Sequence, residues 1–183
     1  AFVLITNPKI EIVKTKLNIW QKTLLLLTVI LGIYLIRSSV NFWRADYFFQ
    51  SALKQQLKGN YASATNYIDK AFTWAHVADP NAKLILNDFN NETENDTSDA
   101  QYSYMKSAKD RGVPINGIGM QLHIDASKPP NKDAMVKNMK RFGDIGYSVF
   151  VTEFDISSVS VKGTSEFKNN LEAKITANVV EAC

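Results

Sequence analysis

The sequence predicts an α/β domain of parallel strands covered by helices, carried behind a membrane-length apolar helix and a helical hairpin. Three observations predict it. Strand-like and helix-like patterns alternate through the later part of the chain, with strands recurring about every thirty residues, the length of one strand–helix–strand unit. Residues 17–36 form an apolar run of spanning length. Each strand candidate also leads into polar side chains able to do chemistry: Asn87, then Gln121 and His123, then Glu153 and Asp155.

The bulk composition narrows the function classes. The 183 residues suffice for one domain with an appendage. A net charge of +3 is spread thinly, so no basic stripe for nucleic acid is expected. The single cysteine, Cys183, allows no internal disulfide. With only His76 and His123 and no Cys/His cluster, neither a metal site nor a cofactor is expected. The chain starts on Ala, and its last helical pattern runs to the final residue without a stop signal. Both ends are therefore expected to continue in a longer protein.

A basic lead-in occupies residues 1–16, and the proposed transmembrane helix follows over 17–38. Its strictly apolar piece, 24–36, is interrupted by Thr28, Gly32 and Tyr34; counted from Leu17, with Lys22 snorkelling, it reaches spanning length. Trp20 and Tyr34 fit an interfacial belt, and a buried core helix is the alternative. A cleaved signal peptide fits less well, because Arg37 follows the apolar run directly and no small-residue cleavage site is present. Lys9, Lys14, Lys16 and Lys22 precede the span, against Arg37 and Arg44 after it. That bias predicts a cytoplasmic N-terminal side and an extracytoplasmic remainder.

Residues 39–66 read as a hairpin of two helices flanking Gly59-Asn60-Tyr61, with Ala64 and Ala71 on one face. The pattern resembles a single tetratricopeptide unit. Together with the apolar helix and "FWRAD" it is similar to the tail of bacterial O-antigen ligase-like membrane proteins, which would give the hairpin a protein partner. An ordinary helical hairpin is the alternative, since one repeat cannot bury its own face.

The α/β part is assigned to 67–183, and "NYIDKAF" satisfies the patterns on both sides of the join. A helix with Tyr67, Ile68, Ala71, Phe72, Ala75 and Ala78 on one face ends at Asp79-Pro80. A strand is expected over 83–87, a helix over 98–109, a second strand over 117–121, and after Pro129-Pro130 a helix with Met135, Met139, Phe142 and Ile145 in one stripe. Gly146 stops that helix, the third strand is 147–152, and a last helix carries Phe167, Leu171, Ile175 and Val179. Asp88 and Asn90 read as turn residues and His76 as a packing residue. Taken singly, His123 fits a structural role and the acids after the third strand fit helix caps. Taken together, three successive strands presenting polar groups on one rim match the active face of a (β/α) barrel.

"FTWAHVADPNAKLILNDFN", "AKDRGVPINGIGMQLHI" and "GYSVFVTEFDIS" resemble, in order and spacing, three consecutive motifs of glycoside hydrolase family 10, the endo-β-1,4-xylanases. The resemblance implies a partial (β/α)8 TIM barrel of three βα units, strands five to seven. It also implies retaining hydrolysis of internal bonds of xylan by a family that is typically secreted. By position, Glu153 resembles the nucleophile, His123 the histidine that hydrogen-bonds it, and Asp155 the acid that orients the histidine. Asn87 and Gln121 resemble residues lining the sugar cleft, and Phe89 stands where the family often has a stacking tyrosine. Xylan or a xylo-oligosaccharide is the implied partner. The family's acid/base lies in a "W-D-V-x-N-E" type motif that this sequence lacks; Glu92 and Glu94 are the nearest spare acids, without its flanking pattern. The expected function is thus part of an endo-1,4-β-xylanase, inactive or nearly so alone. A membrane-anchored helical-repeat scaffold and a non-catalytic carbohydrate-binding remnant are the alternatives.

Overall fold

A computed structural model describes residues 16–183, so the basic lead-in with Lys9 and Lys14 lies, apart from Lys16, outside the described residues. The elements in order are α1 (Ile19–Leu57), α2 (Tyr61–Ala78), β1 (Ile85–Phe89), α3 (Asp96–Asp110), β2 (Gly117–Asp125), α4 (Lys132–Asp144), β3 (Ser148–Ser157) and α5 (Ser165–Ala182). The chain divides into two compact units, up to Arg37 and from Ser38 onward.

The first unit is the apolar start of α1. Asn18 and Gln21 cap it reciprocally: each backbone N–H donates to the other's side-chain oxygen at 2.9 Å. Thr23 and Thr28 turn their hydroxyls back onto the carbonyls of Ile19 and Leu24, which removes two donors from an otherwise apolar surface. Trp20, the leucines 24–27, Ile30, Ile33 and Ile36 are all exposed.

In the second unit the remainder of α1 turns through Gly59, whose φ of 71° favours a residue without a side chain, and Asn60 caps α2 by accepting from Ser63 N at 3.2 Å. The two helices meet through side chains: Phe48 stacks on Tyr67 and Arg44 lies 4.5 Å from the Trp74 ring. α2 crosses residues 66 and 67 without a break, because one apolar stripe runs through "NYIDKAF". His76, expected among packed neighbours, is exposed in the last turn of α2; the stripe made by Ala64, Ala71 and Ala78 faces away from it.

The three strands form one parallel sheet in the order β1-β2-β3, with Gly117 opposite both Ile85 and Ser148. β2 is the middle strand. Its even-numbered residues Ile118, Met120, Leu122 and Ile124 are buried beneath Met105 and Ala108 of α3, Met135 and Phe142 of α4, and Ile175 and Val179 of α5. β2 and β3 run further than the sequence pattern suggested, so the polar residues expected beyond the strand ends lie inside the ladder. The physical reason is the alternation: Leu122, Ile124 and Ile156 keep facing the helices while their neighbours are polar.

A buried polar knot joins the β1–α3 loop to this core. Asn91 Nδ2 donates to Gly119 O at 3.1 Å and to Gln101 Oε1 at 2.9 Å, and Asn138 Nδ2 of α4 donates to Asn91 O at 2.7 Å. Neither asparagine is exposed to solvent. Asn138→Ala strands a buried carbonyl, and chemical denaturation should read a loss of about 1–3 kcal/mol.

Candidate active site

The site begins with an irregularity in β3. Up to Met120 the register pairs Ile118 with Val149 and Met120 with Val151; the next pair is Gln121 with Glu153, so Thr152 is an extra residue. This β-bulge changes the parity of the strand. Before it, the odd-numbered Val149 and Val151 pack on the helix-side core; after it, the even-numbered Ile156 does. Glu153 and Asp155 are thereby turned onto the opposite, open face. There Phe89, Gln121 and Glu153 stand in one row across the sheet, with His123 and Asp155 in the adjacent row.

The side chains in these rows touch. Gln121 Nε2 donates to Glu153 Oε1 at 2.9 Å, and His123 Nε2 lies 3.3 Å from Glu153 Oε2. His123 Nδ1 lies 2.5 Å from Asp155 Oδ2. The imidazole thus stands between two carboxylates, hydrogen-bonded to Asp155 and ion-paired with Glu153, whose other oxygen accepts from Gln121. The hydrogen bond to Asp155 raises the His123 pKa above the ordinary histidine value, with the charges of Asp155 and Glu153 adding to it and partial desolvation opposing. Protonated, His123 hydrogen-bonds to Asp155 and pairs in charge with Glu153, and the trio carries a net charge of −1. About half of the Glu153 side chain is exposed, so it is oriented by its neighbours yet reachable from solvent.

The other candidates lie around this group. Asn87 is exposed on the open face, and its Oδ1 accepts from Thr152 Oγ1 at 2.6 Å. Phe89 presents a largely exposed ring at the end of β1, in line with Gln121. Asp88 points to the other face and accepts from Gln101 Nε2 at 2.9 Å, while Asn90 has φ 54°, as turn residues do. Glu94 is bound to Lys137 Nζ at 2.6 Å. Among the described residues no group of three or more His, Cys, Asp or Glu side chains is arranged to hold a metal ion.

Two participants escape a reading of the sequence: Thr152, which forms the bulge, and Gly119, over which Asn87 reaches. A signal for the second exists in "GIG", since two glycines at a two-residue spacing leave one strand face bare for close-lying neighbours. No comparable signal marks a bulge.

The family model for glycosyl hydrolase family 10 matches residues 43–183. Endo-1,4-beta-xylanase B of Thermotoga neapolitana is 38% identical over 117 residues, covering 64% of this chain and 33% of that protein. Beta-1,4-xylanase of Dictyoglomus thermophilum is 49% identical over 90 residues, 49% of this chain and 25% of that protein. The crystal structure of xylanase 10B from Thermotoga petrophila in complex with xylobiose superposes with a TM-score of 0.61 at 37% identity, over 64% of this chain and 36% of that one. The chain thus spans between a quarter and about a third of the length of these relatives. With its three parallel strands forming a piece of the (β/α)8 barrel, this chain belongs to glycosyl hydrolase family 10.

Proposed function

We propose that the chain is the nucleophile-bearing part of a retaining endo-1,4-β-xylanase, with Glu153 attacking the anomeric carbon of a xylan backbone sugar. The observation that carries this reading is the Glu153 carboxylate held by Gln121 and His123 on the open face of the sheet. The Gln121 hydrogen bond on one oxygen and the His123 ion pair on the other fix the direction of the carboxylate, which is what attack at carbon requires. His123, itself held by Asp155, turns its Nε2 toward the carboxylate. The relatives' names and the xylobiose complex supply the substrate class.

Retention takes a second carboxyl group about 5–5.5 Å from the first, acting as acid and then base. Asp155 is engaged with His123, Asp88 with Gln101 on the other face, and Glu94 with Lys137. None of these three is free for that role, and Glu92 lacks the flanking pattern of the family's acid/base, so this chain alone is inactive or nearly so on xylan, lacking a contribution of about 10²–10⁴ in rate.

The apolar start of α1 is proposed to anchor the chain in a membrane with the barrel part extracytoplasmic. Among the described residues it is the one helix long and apolar enough to cross, and none of that stretch is buried. The family match begins at residue 43, within α1, which supports reading most of the hairpin together with the hydrolase part.

An activated 2-fluoro xylobioside whose aryl leaving group departs without protonation bypasses the acid. It should label Glu153 covalently, giving one added glycosyl mass, and Glu153→Gln should remain unlabelled; labelling elsewhere would refute the nucleophile. Incubation with xylan should release no reducing ends above the Glu153→Gln background. The histidine pair adds a pH prediction. Because the folded-state pKa of His123 is raised, its ion pairs stabilise fully below the unfolded value, near 6.5, and that contribution fades as pH rises through the folded value. Asp155→Asn should move the His123 midpoint downward in an NMR titration and weaken this pH dependence.

A further inference from the structure

We propose that Thr152 is a positioning residue: its hydroxyl, bonded to Asn87 across Gly119, pins the bulge that sets Glu153 opposite Gln121. This deepens the reading of Glu153 as nucleophile and rests on it for its catalytic meaning, though the geometry stands without it.

β1 and β3 are not neighbours; β2 runs between them. Two strand spacings separate their backbones by about 10 Å, too far for two short side chains to meet over an ordinary residue. They meet here because the residue between them is Gly119, paired directly with Asn87. A Cβ at Gly119 would collide with the Asn87 carboxamide and stand 3.0 Å from Thr152 Cγ2. The absent side chain is therefore the channel through which the bond passes.

What the bond holds is a choice of register. Were β3 regular, Thr152 would pair with Gln121 and Glu153 would turn to the helix side, since a shift of one residue exchanges the faces of a strand. Packing of Val149, Val151 and Ile156 makes that regular form unfavourable but does not tether the extra residue itself. The 2.6 Å bond from Thr152 Oγ1 does. Its other acceptor, Met120 O, lies at 3.4 Å, so the single hydroxyl proton goes to Asn87 Oδ1. Asn87 Oδ1 keeps its second lone pair, and its Nδ2 amide is a donor suited to a sugar hydroxyl or ring oxygen.

The test uses the whole chain in detergent, with Thr152→Val, Thr152→Ser and Asn87→Ala variants. The first readout is the pH midpoint of His123 by NMR, with His76, the second histidine and exposed on α2, as internal control. The groups facing His123 are Glu153 and Asp155, so displacement of Glu153 shows there. Thr152→Val and Asn87→Ala should both lower the His123 midpoint and leave His76 unmoved, and Thr152→Ser should restore it. The second readout is covalent labelling by the aryl 2-fluoro xylobioside, which Thr152→Val should slow about tenfold, the loss of one good hydrogen bond. An unchanged His123 midpoint in Thr152→Val, or a serine variant behaving like valine, overturns the proposal. If Thr152→Val fails to fold, Asn87→Ala decides on the same midpoint. Absence of labelling in the unaltered chain would instead refute Glu153 as nucleophile, leaving the midpoint to judge Thr152.

Discussion

Everything at the site depends on a change of parity in one strand. A parallel strand offers alternate residues to each face, and the helices over this sheet claim the apolar ones. With a regular β3, Val149 and Val151 on the core side would carry Glu153 and Asp155 there too. Burial of two carboxylates under α4 and α5 would cost several kcal/mol each. The single extra residue at Thr152 removes the conflict, keeping valines and Ile156 inward while both acids face outward.

The outward face then acquires its charge pattern from pairing rather than from burial. Gln121 and His123, two apart on β2, lie opposite Glu153 and Asp155, two apart on β3. Each β3 acid meets a donor from the middle strand, and the imidazole touches both acids. Because the group is open to solvent, its Coulombic terms are screened and its geometry rests mainly on directed hydrogen bonds. An amide and an imidazole anchored on one rigid strand are therefore better holders of Glu153 than mobile lysines would be.

The middle strand serves both sides of the sheet. Ile118, Met120, Leu122 and Ile124 on one side are all within 4% of complete burial, which locks the backbone from which Gln121 and His123 project. On the other side Gly117 and Gly119 supply empty space: Phe150 lies over the first, and the Asn87–Thr152 contact over the second. The Asn91 and Asn138 contacts fix the loop after β1 to Gly119 O and to α4, so the end of β1 is held to the middle strand and its covering helix.

Much of this was legible in the chain itself. The order of helices and strands follows from apolar periodicity, and the candidate polar residues of the three motifs fall on one face of the sheet. Those are local properties, written in a few consecutive side chains. The first strand lies two residues later than its pattern suggests. The second and third run longer because polar residues within a ladder look like its end, and the face that His76 takes is chosen by the partners of its helix. The bulge, the pairing of His123 with both acids, and the reach of Asn87 to Thr152 belong to the fold alone. Each depends on register between segments some thirty to sixty-five residues apart in the chain, a quantity that only the assembled sheet defines.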